Sequence, residues 1–337
     1  MKKLFFLMLI PMSVMTLLCG CYKNGKDYKK KLEVNTAVVT EPAFFRYEDV
    51  LFNMDTANFQ QELKAAQRDY GPFLEGDLDD PDAVKYLKDF AVDPFSIIIY
   101  NKVKETYPNL NDVRAIVNGV YQHFNYYYPE IVLPRKIYTC VSGVDPQSSS
   151  VMLLDDALVI SLDWYLNGDE IYDRLGMPKY MSDRTLLPSL AKDLGVEIYK
   201  SYVQQWHKQS NLLEEMVCAG KMYFFAEAMC PSIADEVLLG YTKPQLKWAV
   251  DNEGNLWADL VGSQQLYSTE MEMFRTFFSD GPFTNEYSHE APPRLGEFLG
   301  VQIVRSYMSN KNVSLQELMQ NGDLQGIFLE SGYKPKK

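Results

Sequence analysis

Residues 187–203 read LPSLAKDLGVEIYKSYV, and the spacing of their apolar side chains decides most of the fold. Leu187, Leu190, Leu194, Ile198 and Tyr202 recur at three- and four-residue intervals, so they share one helical face and predict a long amphipathic helix from Thr185 to about Trp206. A second long helix is expected from Asn211 to Cys230, stopped by Pro231. Just upstream the period changes to that of strands: Arg135 to Ser142 (RKIYTCVS), Ser150 to Leu154 and Ala157 to Leu162, with Asp155-Asp156 as a two-residue turn. These predict a β-hairpin beside a neighbouring strand.

Outward from this centre the chain is helical. Asp55 or Thr56 can cap a helix through Phe59, Leu63 and Ala66 that Gly71-Pro72 ends. Asp93-Pro94 sets a cap and a first-turn proline before Ser96 to Tyr107. Asn111 or Asp112 opens a helix with Val113, Ile116, Val117, Val120 and Phe124 on one face, until Pro129. Downstream, separate helices are expected through Leu246, Trp248 and Val250 and through Trp257, Leu260 and Val261. Pro293 begins another through Leu295, Phe298, Leu299, Ile303 and Tyr307, and Ser314-x-x-Glu317 is a capping box for a short last one. The fold class is α+β, mainly α-helical, with one small sheet and long packed helices. No Ser/Gly/Pro-rich linker divides it, so one globular domain, 46–337, is expected: a helical lobe 46–130, the sheet 131–163, and a second helical lobe 164–337.

The N-terminus predicts where the chain works. MKKLFFLMLIPMSVMTLLCGC has Lys2 and Lys3, an apolar run to Leu18, and Leu18-Cys19-Gly20-Cys21, the Leu-x-Gly-Cys pattern of a bacterial lipoprotein processing site. The run is about 15 residues where a membrane span needs about 20, and Pro11 interrupts it. Residues 1–20 are therefore expected to be a lipoprotein signal peptide, with Cys21 the lipidation site. Residues 21–45 are read as the lipidated N-terminus and a flexible tether. Two or three palmitate-type chains would hold the protein on a bilayer almost permanently. Removing residues 1–20 takes 33 basic residues to 31 against 45 acidic ones, so the net charge of −12 becomes about −14. Such a surface is repelled by nucleic acid, which is excluded as a partner. The segment from Tyr22 to Lys31 is nonetheless basic, with Lys23, Lys26, Lys29, Lys30 and Lys31 against Asp27 alone. Lipoproteins displayed on the outer face of Bacteroidetes cells often carry an acidic run there, so an outer-membrane anchor facing the periplasm is expected. Cys140, Cys218 and Cys230 remain, an odd number best read as free thiols.

A helical lobe, a short sheet ending Ile160-Ser161-Leu162-Asp163, and then two long helices is similar to the order of elements in zinc metallopeptidases of the zincin class. In those, the first long helix carries His-Glu-x-x-His, two imidazoles one turn apart on a zinc ion with a glutamate that polarises water. Here the corresponding residues are Lys192-Asp193-Leu194-Gly195-Val196. Lys192 and Val196 stand at the histidine positions; at neutral pH one is cationic and the other apolar, so neither serves as a zinc ligand. Asp193 stands where the general base would, one methylene short. On the second helix Glu214 and Glu215 precede Cys218-Ala219-Gly220-Lys221 by a turn. The metal motif is degenerate, no catalytic residues are identified, and neither cofactor nor metal is expected.

The chain resembles the gliding-motility lipoprotein GldB family of Bacteroidetes, related to zincin-like peptidases. The resemblance rests on the lipobox Leu18 to Cys21, Tyr138-Thr139-Cys140-Val141-Ser142-Gly143, Leu162-Asp163-Trp164-Tyr165-Leu166, Pro178-Lys179-Tyr180, Ala219-Gly220-Lys221-Met222, Leu239-Gly240-Tyr241-Thr242 and the run from Arg294 to Tyr307. It implies an envelope lipoprotein of gliding-motility or secretion-type machinery, or of its counterpart in non-gliding relatives, and implies no molecular activity.

Four further groups bear on function. Lys192 on the inner face of its helix is expected to pair with Asp193, Glu215 or another carboxylate in a cleft, against the alternative of a solvated lysine. Arg294 and Arg305 are candidate cleft residues because arginine forks bind carboxylates; the favoured alternative is that Gly296 and Gly300 simply permit close helix packing and Arg305 pairs structurally. His123, His207 and His289 are scattered, and the tyrosines of Asn125-Tyr126-Tyr127-Tyr128-Pro129 fit a helix end with their hydroxyls toward water. The reading is a non-catalytic pseudo-metallopeptidase that works by binding an envelope protein. The alternatives are a metallopeptidase-like hydrolase with an unrecognised site, or a substrate-binding lipoprotein of a nutrient-uptake system.

Overall fold

The computed structural model describes residues 27–144, 149–205 and 209–335. The signal segment, Cys21, His207 and the expected helix end at Trp206 lie outside the described residues.

Four strands form one sheet: β1 (Ala43–Arg46), β2 (Lys136–Cys140), β3 (Val151–Leu153) and β4 (Ala157–Ser161), in the order β1-β2-β4-β3. β3 and β4 pair antiparallel about Asp155-Asp156, with the Leu154 N–H donating to the Ala157 carbonyl at 2.8 Å, as the turn signal predicts. β2 runs parallel to β4, setting Ile137 opposite Leu158 and Thr139 opposite Ile160. Successive side chains point to opposite faces. Ile137, Leu158 and Ile160 therefore join the main core, while Tyr138, Cys140, Ala157 and Val159 meet Leu63, Leu74 and Phe59 on the other side. Both faces are covered, which is why β4 is buried from end to end.

β1 pairs parallel with β2, Ala43 opposite Lys136. It falls within the stretch expected to be a tether, and it is not alone. The helix α1 (Asp27–Leu32) buries Tyr28 and Leu32 in the main core, and Lys31 Nζ donates to the carbonyls of Met308 (2.7 Å) and Lys311. The tether reading is corrected for residues 27–45: two apolar anchors four apart fix the segment although lysines surround them.

The longer helices that follow are α2 (Pro81–Val92), α3 (Pro94–Thr106), α4 (Asn111–Tyr127), α5 (Ser189–Ile198), α6 (Leu212–Met229), α7 (Lys243–Gly262), α8 (Leu295–Asn310), α9 (Leu315–Gln320) and α10 (Leu324–Ser331). Asp93 caps α3 by accepting from the Ser96 N–H at 2.7 Å, and the Ser314/Glu317 capping box starts α9. α5 is shorter than its apolar period predicts, because the turns from Ser182 to Pro188 precede it and a π-type turn, Tyr199–Val203, follows it. α7 is one continuous helix where two were expected: a lone glycine in a helix costs only about 1 kcal/mol, and Gly254 is buried inside it.

α6 is the axis of the molecule, apolar on all sides, and α4, α5, α8 and α10 pack around it. Its seam with α8 is the tightest in the protein. A Cβ on Gly300 would overlap the Met216 carbonyl oxygen, and one on Gly220 would overlap the Gly300 carbonyl. The expected packing roles of both glycines are met, Gly300 at this seam and Gly296 where the Phe278 ring of the helix Met271–Phe278 lies against α8. On the opposite side Gly195 lets α5 approach α6, where a Cβ would sit 2.9 Å from Ala226 Cα.

Candidate functional site

The first and fifth residues of the degenerate motif, which stand at the two histidine positions, do not share a destination. Lys192 and Val196 are one turn apart on α5, but Val196 packs against the apolar cluster of Leu238, Leu239 and Phe298. Lys192 opens into a cleft of about 210 Å³, lined also by Ser150, Trp164, Tyr165, Arg184, Asp193 and Asp280. Its ammonium lies 2.9 Å from Asp193 Oδ1, the pairing expected from sequence. The other Asp193 oxygen accepts from the Tyr165 hydroxyl at 2.9 Å, and Ser150 Oγ lies 3.0 Å from the same phenol.

Tyr165 is held from behind, because its carbonyl accepts from the Tyr107 hydroxyl. Burial, and then the negative charge of Asp193, push its phenol far above the usual tyrosine range, so it stays a neutral donor. The strand end below it is sealed by a second carboxylate. Asp163 is fully buried and accepts from the N–H of Ser142 (3.0 Å), the Ser142 hydroxyl (3.2 Å) and the N–H of Val144 (2.9 Å). Desolvation raises its pKa against the pull of those donors. Ser142 thus has a carboxylate partner that its sequence context does not reveal, one that ties β2 to β4.

Across the cleft Arg184 Nη1 donates to both oxygens of Asp280, at 2.7 and 3.0 Å. Asp280 is shared with Arg294, whose Nε lies 3.4 Å away. Arg294 also reaches Glu297 Oε2 at 2.9 Å and the Leu239 carbonyl at 2.8 Å, from a left-handed backbone position before α8. It supports the cleft wall and does not line the cleft.

Two further candidates lie away from this cleft, and for Arg305 the structural pairing is the reading realised. Arg305 is not a cleft residue: its guanidinium grips Glu227 with two bonds of 2.9 Å and Asp235 at 2.7 Å, sealed between α6 and α8 under the Tyr28 ring. Glu215 makes no ion pair among the described residues and does not line the cleft; burial alone raises its pKa. Glu215 is therefore not brought to Lys192 and Asp193, which pair with each other. His123 bonds the Gly119 carbonyl and His289 rests on Phe283, far apart in the chain and in separate surroundings. The three thiols Cys140, Cys218 and Cys230 are free.

Sequence reasoning missed Arg184, Asp280, Ser150 and Tyr165 as one group. Only Tyr165 lay in a motif that the resemblance quotes. Among the described residues no three His, Cys, Asp or Glu side chains are placed to hold a metal ion, and no helix is long and apolar enough to cross a membrane.

The arrangement is a mainly helical α+β domain whose cleft is walled by mutually neutralised charge pairs. The chain belongs to the family described as gliding motility protein GldB, which matches residues 27–335. Membership makes it a gliding-motility-associated lipoprotein of the cell envelope. Searches of the curated proteins and of the solved structures return no match.

Proposed function

We propose that this protein is a non-catalytic, lipid-anchored component of envelope machinery, acylated at Cys21 after removal of residues 1–20, facing the periplasm, and acting by holding an envelope protein partner. What supports the non-catalytic reading is the state of the cleft. Its base and its cation, Asp193 and Lys192, are spent on each other at 2.9 Å, and Asp193 is further satisfied by Tyr165. A general base must be free to take up a proton, and a zinc site needs three or four donors converging on one point; both cleft aspartates, Asp193 and Asp280, are instead paired with cations, and among the described residues no three His, Cys, Asp or Glu side chains converge on a metal position. The acidic body, about −14 after processing, disfavours nucleic acid.

The test is crosslinking of the full-length lipoprotein in intact cells, beside peptide and ester hydrolysis by the same purified preparation. A defined envelope protein joined to the chain, with no turnover, supports the reading. Turnover that disappears in Asp193→Asn overturns it and favours the hydrolase.

A further inference from the structure

We infer that the end of the domain formed by α1, the C-terminal end of α4 and the corner between α8 and α9 is a docking surface for the anionic headgroups of the bilayer. This rests on the lipidation of Cys21 proposed above and goes beyond it, because a lipid anchor by itself fixes no orientation.

Chain length supplies the first argument. Only Tyr22 to Lys26 separate Cys21 from α1, and six Cα steps span at most about 20 Å. The headgroup layer takes up about 5–7 Å of that. α1 is not free to swing away at its far end either, since Tyr28 and Leu32 are buried and Lys31 is bonded to Met308 and Lys311 at the end of α8. The body of the protein must therefore present this end, or its immediate flank, to the membrane.

Charge and shape supply the second. α1 carries Lys29, Lys30 and Lys31 in succession, continuing the basic run that begins at Lys23, in a chain that is otherwise strongly acidic. Anionic headgroups attract such a juxtamembrane cluster and repel the remainder, so the field orients the molecule with α1 down. Beside α1 opens a hollow of about 340 Å³ lined by Lys31, Val34, Tyr126, Tyr127, Val313 and Gln316. Tyr126 is 49% exposed at its rim. Lysine, tyrosine and short aliphatic side chains together match the interface of a bilayer, where an apolar ring body and a polar tip are both satisfied. A water-facing hollow gains nothing from that mixture.

The test uses the full-length acylated protein in vesicles of phosphatidylcholine containing phosphatidylglycerol with brominated acyl chains, which quench nearby tryptophan. Tyr126→Trp is compared with Tyr86→Trp, which replaces a tyrosine 75% exposed on α2. Quenching several-fold greater for the tryptophan at 126, and reduced when the same brominated chains are carried by phosphatidylcholine with no anionic lipid present, is expected. Equal quenching at the two positions overturns the inference. A flexible Gly/Ser insertion between Lys26 and Asp27 separates docking from simple proximity: persistent quenching at 126 supports docking, and its loss shows that the tether alone held the surface near. The intact mass of the same preparation reports the acyl chains on Cys21 independently, so failure of lipidation and failure of docking give different results. Self-association of the vesicle-free domain through this hollow, with no quenching, would assign it to a second copy of the chain and overturn the bilayer as its occupant.

Discussion

Arg305 and Lys192 are both cations paired with carboxylates on packed helices, yet they do opposite work. Arg305 lies in a sealed seam where Glu227 is fully buried, and its fork satisfies two acids at once. Lys192 and Asp193 keep 19% and 26% of their side-chain surfaces exposed at the wall of an open cleft. The comparison teaches that solvent decides what an ion pair is for. Out of water, removing one partner strands a charge; at a cleft wall either partner can be re-solvated or recruited by a ligand.

The largest expected effect breaks the sealed member. Arg305→Met should cost about 3–5 kcal/mol in denaturant unfolding, because Glu227 and Asp235 lose their common cation. A loss under about 1 kcal/mol would mean that water reaches the seam and that the distinction fails. Next comes the packing that closes that seam. Gly300→Ala should cost about 1–3 kcal/mol by forcing α6 and α8 apart, whereas in an open helix the same change would stabilise.

A third cation sharpens the contrast. Lys221 is 2% exposed and has no carboxylate partner among the described residues; its ammonium donates to the carbonyls of Asn321 (2.8 Å) and Met319 (3.2 Å) at the end of α9. Desolvation pulls its pKa down to about 8. Its unfolded value is near 10.5, so between these the unfolded chain binds a proton that the native chain lacks, and stability rises with pH. From pH 8 toward 9.5 the wild type should therefore gain on Lys221→Met, at up to about 1.4 kcal/mol per pH unit. A flat difference between the two would show that the carbonyls hold the proton through that range. The smallest effect belongs to the cleft: Lys192→Met should change stability by less than about 1 kcal/mol, since its partner stays bonded to Tyr165 and can take up water.

What could be read from sequence was what local chemistry determines. Asp93 before Pro94, Ser314 before Glu317, and the apolar spacing from Leu190 to Ile198 each declare themselves within one or two turns, and each is realised. β1 did not declare itself, because four residues (AFFR) pair in parallel with a strand some ninety positions later, and no local pattern encodes that partner. The cleft was half legible. Lys192 and Asp193 are adjacent, but Arg184 and Asp280 are 96 positions apart and meet only through the fold. Glu227 offered a signal that passed unread: an acid inside Phe224-Phe225-Ala226-Glu227-Ala228-Met229 must be buried, and a buried acid requires a cation, here Arg305.

The account depends on the cleft's carboxylates being paired with cations and not gathered as the ligands of a metal ion. Metal analysis of the purified full-length protein, isolated from its host without chelator, tests this most directly. Zinc far below one equivalent per chain, unchanged in Asp193→Asn, is the predicted result. About one tightly held zinc per chain, lost when Asp193 or Glu215 is replaced by its amide, would contradict it.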